Sequence, residues 1–221
     1  MREVSAPKLL FLKLHSTGLY RETLSQWDEG QPVAVELAHM LCDEQGNAIN
    51  VNCNIVKSEG RIPQEGAVAV HGITNQMAAQ WGLPEPRLVG LLADALKTLP
   101  YKHMKVVSYH EFDHRIVSAS LARMGRSMTP QRDFSKLWEF RPQTEFIFLQ
   151  EPWATQACRL PSEDGGHRRP SLQEAEKIVL GRDRQTLFDV GLPLSLVDLL
   201  GVRDLYLRFV ADGLFETREA A

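Results

Sequence analysis

Residues 11–19, Phe11-Leu12-Lys13-Leu14-His15-Ser16-Thr17-Gly18-Leu19, carry an apolar strand into a Ser-Thr-Gly turn and place two chemically able groups on it. The imidazole of His15 could ligate a borderline ion such as Zn²⁺ or Mn²⁺ or move a proton. The ammonium of Lys13 is a compact charge suited to pairing with carboxylates. Two acids lie far along the chain in apolar settings: Asp113 after Val106-Val107-Ser108-Tyr109, and Asp198 between Leu196-Val197 and Leu199-Leu200. His71 and His110 add two imidazoles near turns. Each has an ordinary use as well. Asp113 can cap the helix that begins near it, Asp198 can be a helix residue satisfied by a partner, and His71 and His110 can be hydrogen-bonded structural residues.

Strands and helices must carry these groups to one place. Lys8 to His15 alternates and is rich in Leu and Phe, so it reads as a strand. Pro32 to Cys42 and Ala48 to Lys57 are two more strand candidates across the turn-rich Asp43-Glu44-Gln45-Gly46-Asn47, which predicts an antiparallel hairpin. Beyond Pro63, apolar residues recur three and four apart over Asn75 to Trp81 and Pro86 to Leu99, with Pro84 and Pro86 at the break between two helices. His103 to Tyr109 reads as a short buried strand, and Phe112 to Met124 as an amphipathic helix that Gly125 can end.

Arg126 to Gln150 has poor periodicity, Pro130 and Pro142, and the aromatics Phe134, Trp138, Phe140, Phe146 and Phe148. It reads as a long loop or insertion ending in a strand near Glu145 to Gln150, its aromatics packing the loop or stacking on bases. Pro161 to Pro170 is a surface loop. Ser171 and Glu174 then form a capping box for a helix reaching Leu180, and Leu194 to Val210 is a last helix. Strands followed by mixed strands and helices point to one α/β domain over residues 1–221, with an insertion at about 126–150.

Composition narrows the classes. A length of 221 residues suffices for a substantial core, and 43% apolar with 24% charged residues is ordinary for a soluble globular protein. A net charge of -3 lacks the basic excess of an avid phosphate binder, yet permits local basic patches. Two are present, Arg123, Arg126, Arg132, Lys136 and Arg141, then Arg168, Arg169, Lys177, Arg182 and Arg184; both read as solvated faces, with phosphate tracking along a cleft as the alternative. Cys42, Cys53 and Cys158 are odd in number and lack Cys-x-x-Cys spacing, so neither a disulfide framework nor a zinc knuckle is implied. With no apolar run long enough to span a bilayer and no signal-peptide plan, a cytoplasmic protein is expected, with no membrane partner.

In order and spacing, the segments from about residue 8 to residue 210 resemble the DEDDh (DnaQ-like) 3′-to-5′ exonucleases, which include the proofreading subunit of bacterial replicative polymerase, RNase T and oligoribonuclease. The family's Asp-x-Glu-Thr-Thr-Gly is matched by Lys13-Leu14-His15-Ser16-Thr17-Gly18. Its His-Gly-Ile-Thr turn is matched by His71-Gly72-Ile73-Thr74, and its His-Asn then Phe-Asp by His110-Glu111-Phe112-Asp113. Pro170-Ser171-Leu172-Gln173-Glu174-Ala175 is similar to the Leu-x-Glu-Ala helix. The last motif, His-x-Ala-x-x-Asp, falls on Pro193-Leu194-Ser195-Leu196-Val197-Asp198.

The resemblance implies a ribonuclease H-like mixed β-sheet flanked by helices. It also implies hydrolysis at two divalent ions held by four acids, with a His as base. Here only Asp113 and Asp198 remain. Lys13 and His15 replace the first two carboxylates, Pro193 stands where the base belongs, and Leu194 where the sister class carries Tyr. No His follows His167 to take over as base. Lys13 is therefore expected to pair with Asp113 and Asp198 in the place of a metal.

The reading is an inactive exonuclease-fold protein without a cofactor. It would bind a single-stranded nucleic-acid 3′ end or a nucleotide through Ser16, Thr17, Gly18, His71, His110 and Phe112, or act as an interaction module for a polymerase-like or other protein partner. One alternative is a divergent exonuclease on single-stranded DNA or RNA, with Mg²⁺ or Mn²⁺ held by His15, Asp113 and Asp198 and with His110 or His71 as base. A second is a protein-binding module without nucleic-acid binding.

Overall fold

The structure, a computed structural model, describes residues 8–25, 28–57, 60–98, 105–127, 145–184 and 191–215. Apolar residues run unbroken from Leu9 to Leu12 in the first strand, β1 (Leu9–Ser16), because both of its faces are buried. Leu10, Leu12 and Leu14 enter one core, whereas Leu9 and Phe11 enter the other. Lys13 and His15 share the parity of Leu9 and Phe11, so strand geometry alone sends them to the same face.

The predicted hairpin forms from β2 (Ala34–Cys42) and β3 (Ala48–Lys57), closed by Asp43, whose carboxylate accepts from the backbone N–H groups of Gln45 and Asn47. β1 and β2 are antiparallel, and their register makes His15 the cross-strand partner of Glu36. An irregularity follows at once between His15 and Ser16, turning the chain out of the sheet into Thr17-Gly18.

α1 (Glu65–His71) stops at Gly72, whose left-handed φ of 73° suits a residue without a Cβ, and Thr74 caps α2 (Asn75–Trp81) through Met77 N–H. β4 (Leu83–Pro84), α3 (Glu85–Thr98), β5 (Lys105–Ser108), α4 (Glu111–Ser127) and β6 (Glu145–Phe148) follow. α4 passes through Gly125 to Ser127 rather than ending there: an interior glycine costs a helix about 1 kcal/mol, too little to stop one. The aromatics and basic residues placed at 128–144 lie outside the described residues.

A kinked turn at Gln150–Ala154, in which Glu151 is extended (φ -137°, ψ 130°), leads into α5 (Thr155–Cys158). α6 (Leu172–Ala175), which begins with the expected capping box of Ser171 and Glu174, continues as a π-helical segment (Glu176–Leu180). α7 (Leu194–Ala211) is the last helix.

The sheet order is β4-β3-β2-β1-β5-β6, with β1, β5 and β6 parallel and β2 opposed to them. Leu88, Leu92 and Leu96 of α3 and Ile116 and Val117 of α4 cover one face. Leu199, Val202, Leu205, Tyr206 and Phe209 of α7 cover the other. This is an α/β fold of the ribonuclease H-like kind, a mixed sheet between helices.

Candidate functional site

Three elements meet at the end of β1. β1 supplies Lys13 and His15, the first turn of α4 supplies Asp113, and the first turns of α7 supply Asp198. Asp113 is only 1% exposed, and its carboxylate near a helix N-terminus is favoured by the helix dipole. The Lys13 ammonium lies 3.5 Å from Asp113 Oδ1 and 3.9 Å from Asp198 Oδ2. Burial opposes its charge, but the two carboxylates outweigh burial and hold its pKa above the ordinary lysine value. Asp113 is pushed upward by burial, which Lys13 offsets only in part, so acid breaks the pair by protonating Asp113 while Lys13 stays charged.

His15 uses both ring nitrogens. Nδ1 lies 3.2 Å from Glu36 Oε2, its cross-strand partner, and Nε2 lies 3.3 Å from Asp198 Oδ2. Burial lowers its pKa, and hydrogen bonds to Asp198 and Glu36 more than reverse this, leaving an imidazolium that donates at both ends. Glu36 has a further role. Pro193, the N-cap of α7, has no side chain able to cap, and Ser195 N–H donates to Glu36 Oε2 at 3.2 Å instead. Although burial works against its charge, His15 and Ser195 draw Glu36 below the ordinary carboxylate range.

Arg184 donates from Nη1 to Asp198 Oδ1 at 2.6 Å and pairs through Nε with Glu176, which is wholly buried in the π-helical segment. It is 8% exposed, which corrects the solvated-face reading for this one member of its cluster. Of the others, Lys177 is exposed, Arg168 and Arg169 are exposed and ion-paired with Glu174 and Glu151, and Arg182 pairs with Asp204. Asp198, opposed by burial, is carried below its ordinary pKa by His15, Lys13 and Arg184. Among the described residues no three His, Cys, Asp or Glu side chains are grouped so that they could hold a metal ion.

His71 and His110 are fixed by the backbone. His71 Nδ1 accepts from Ile73 N–H at 3.0 Å, so Nε2 carries the proton and donates to Ser16 C=O at 3.3 Å. His110 Nδ1 accepts from Phe112 N–H at 2.9 Å, which leaves an N–H at Nε2. His71 stacks on His15 with ring centroids 5.5 Å apart, and burial together with the His15 charge lowers its pKa. Ser16 Oγ donates to Gly18 C=O at 2.6 Å, and Thr17 Oγ1 accepts from Val33 N–H at 3.1 Å, so both hydroxyls shape the turn.

Three clefts radiate from this turn. One of about 400 Å³ lies over Lys13, His15, Gly18, His71 and Phe112. A second, of about 730 Å³, runs past Phe112 to Tyr20, His110, Arg115 and Arg169. The third, about 160 Å³, opens between Gly18, Gln31 and Gln64 with Arg21 and Arg61 on its sides. Leu19, 80% exposed, lines all three.

Glu36 and Glu176 are not singled out by the sequence, and Arg184 stands there only as one member of a basic cluster. For Glu36 a clue exists: it lies in Val33-Ala34-Val35-Glu36-Leu37-Ala38, a run apolar enough for a strand buried on both faces, where a carboxylate needs partners.

Sheet, helices and this clustering of strand end and helix N-termini give the chain the fold of ribonuclease H-like exonucleases. Solved structures matching it include E. coli exonuclease I with a dT13 oligonucleotide, at 16% identity and a TM-score of 0.70 over 95% of this chain. The same enzyme with dA16 matches at 17% identity and 0.65 over 91%, and a further exonuclease I structure at 16% and 0.66 over 95%. The chain spans 42%, 40% and 43% of those proteins' length, respectively. No protein-family model and no curated protein matches the sequence.

Proposed function

We propose that this chain is a non-catalytic exonuclease-fold module that binds a single-stranded nucleic-acid 3′ end or nucleotide over the Lys13 cleft. The observation that carries this is the Lys13 ammonium between Asp113 and Asp198. A hard divalent ion seeks about six oxygen ligands. Here one acid is engaged by Lys13 and the other by Lys13, His15 and Arg184. That donor set does not fit a metal pair. Proton transfer also lacks a base: His15 is doubly engaged, His71 donates to the backbone, His110 presents an N–H, and Pro193 has no titratable group. Fold neighbours bearing single-stranded oligonucleotides support the choice of ligand.

One observation favours the reading as a divergent Mg²⁺- or Mn²⁺-dependent exonuclease: Asp113 Oδ2 is buried without a hydrogen-bond partner. A single orphaned oxygen is a small part of a coordination sphere. Mn²⁺ soaks decide between the two, because an ion bridging Asp113 and Asp198 would overturn the salt-bridge reading. Nuclease assays run beside Asp113→Ala and Asp198→Ala test the same point, with equal background in all three expected. Oligonucleotide binding in EDTA, declining with salt, is expected; its absence would leave a protein-binding module.

A further inference from the structure

Most arginines around the site are neutralised within the fold. Arg115, in the largest cleft, pairs with Glu22 and Glu111, Arg169 with Glu151, and Arg184 with Glu176 and Asp198. Arg21 and Arg61 differ: among the described residues neither has an ion-pair partner, and both line the small cleft beyond Gly18. That cleft shares Gly18, Leu19 and Gln64 with the cleft over Lys13, so a chain leaving Lys13 past Leu19 would enter it.

Its walls are built rather than loose. Gln31, 1% exposed, accepts from Arg21 N–H at 3.0 Å and donates to the carbonyls of Arg21, Leu24 and Ser25 at 2.9 to 3.3 Å. Its own carbonyl accepts from Arg61 Nη1 at 3.5 Å. One buried amide thus organises the turn that bears Arg21, and the same residue's backbone anchors Arg61. Gln64 N–H donates to Thr17 C=O at 2.9 Å and ties the opposite wall to the end of β1. Two acids stand near. Asp28 Oδ1 is engaged by Gly30 N–H at 2.7 Å, and Glu29 lines the cleft.

We propose that the Arg21–Arg61 cleft is a phosphate subsite, holding the backbone of a single strand whose end lies over Lys13. This rests on the functional reading above and adds the direction in which the strand runs. It requires no metal, because guanidinium groups supply the charge, and it is blind to base identity, because phosphates carry none.

The test is fluorescence anisotropy of 5′-labelled oligo-dT in EDTA across a salt series, with thymidine, which carries no phosphate, as competitor, for the wild type, Arg21→Gln/Arg61→Gln and Glu29→Gln. Loss of two phosphate contacts at about 0.7 each should lower the salt slope by about 1.4 and weaken oligo-dT binding roughly tenfold, with thymidine affinity unchanged. Glu29→Gln should strengthen oligo-dT binding about twofold to threefold by removing a like charge. Wild-type binding with an unchanged slope in the double variant would overturn the subsite and leave the functional reading standing. Failure of the wild type to bind either ligand would overturn both. Should the double variant fail to fold, an unaltered oligo-dT affinity in Glu29→Gln would overturn the subsite alone.

Discussion

His15 Nε2 and Asp198 Oδ2 lie 3.3 Å apart although 183 residues separate them, so an ion pair joins the first strand to the last helix. Around that contact, Lys13, His15 and Arg184 face Asp113, Asp198, Glu36 and Glu176. The cluster fills with fixed charge the place where the resemblance implies metal ions. On the reading proposed above, the stability of the cluster and a lack of metal affinity have a common origin.

Lys13 is the first test of that origin. Lys13→Met keeps the length of the side chain and removes the charge, leaving Asp113 without its ion-pair partner. A loss of about 3 kcal/mol at neutral pH is expected from urea denaturation midpoints. The loss should shrink toward pH 4, because burial already raises the Asp113 pKa and the acid can take up a proton.

His15 should leave a pH signature. Its folded pKa is raised, so its contribution is complete below the unfolded value of about 6.5 and is lost as pH rises through the folded value. Asp198 and Glu36 are lowered, so theirs are present above about 4 and lost as pH falls through their folded values. His39 and His114, each pushed down to about 4 by burial, and His71 and His110, also lowered, impose an opposite trend on the whole protein. The readout is therefore the stability difference between wild type and His15→Gln. It should be largest between about pH 4.5 and 6.5 and decline on both sides; a flat difference would remove the imidazolium from the account.

Much of the fold was legible because period and punctuation agree locally. Ala48–Lys57 and Asn75–Trp81 form with the bounds their patterns predict, and the Ser171–Glu174 capping box forms as read. Gly125 failed as a stop because punctuation is weak where a helix packs on a sheet. The ion-pair cluster was less legible, since Arg184 and Glu176 look like surface residues until α7 brings Asp198 over them. Burial of a charge is decided by what arrives from elsewhere in the chain, and no local pattern records it.

Lys13→Asp with His15→Glu restores two carboxylates beside Asp113 and removes the cation between the acids. Mn²⁺ binding by electron paramagnetic resonance should rise from background to a measurable affinity, while hydrolysis of single-stranded DNA stays near background because Pro193 still supplies no base. Turnover well above the Asp198→Ala control would show that a base exists elsewhere.

Gly201 offers the sharpest packing test. It lies in the interior of α7, where alanine normally favours a helix by about 1 kcal/mol. A Cβ at this position would stand 1.9 Å from Glu176 Oε1 and 2.5 Å from its Cδ. Glu176 is wholly buried and bound to Arg184, so it cannot swing into solvent to make room. Gly201→Ala should therefore destabilise by about 2 kcal/mol net, overpacking outweighing the helical gain. Loosening the Arg184 contact should also weaken the hold on Asp198. The check is thermal unfolding of Gly201→Ala and of Gly201→Ala with Glu176→Ala. The second change should relieve the clash but leave Arg184 with Asp198 alone, recovering part of the loss. Full additivity of the two costs would show that Gly201 and Glu176 are uncoupled, against the close approach seen between them.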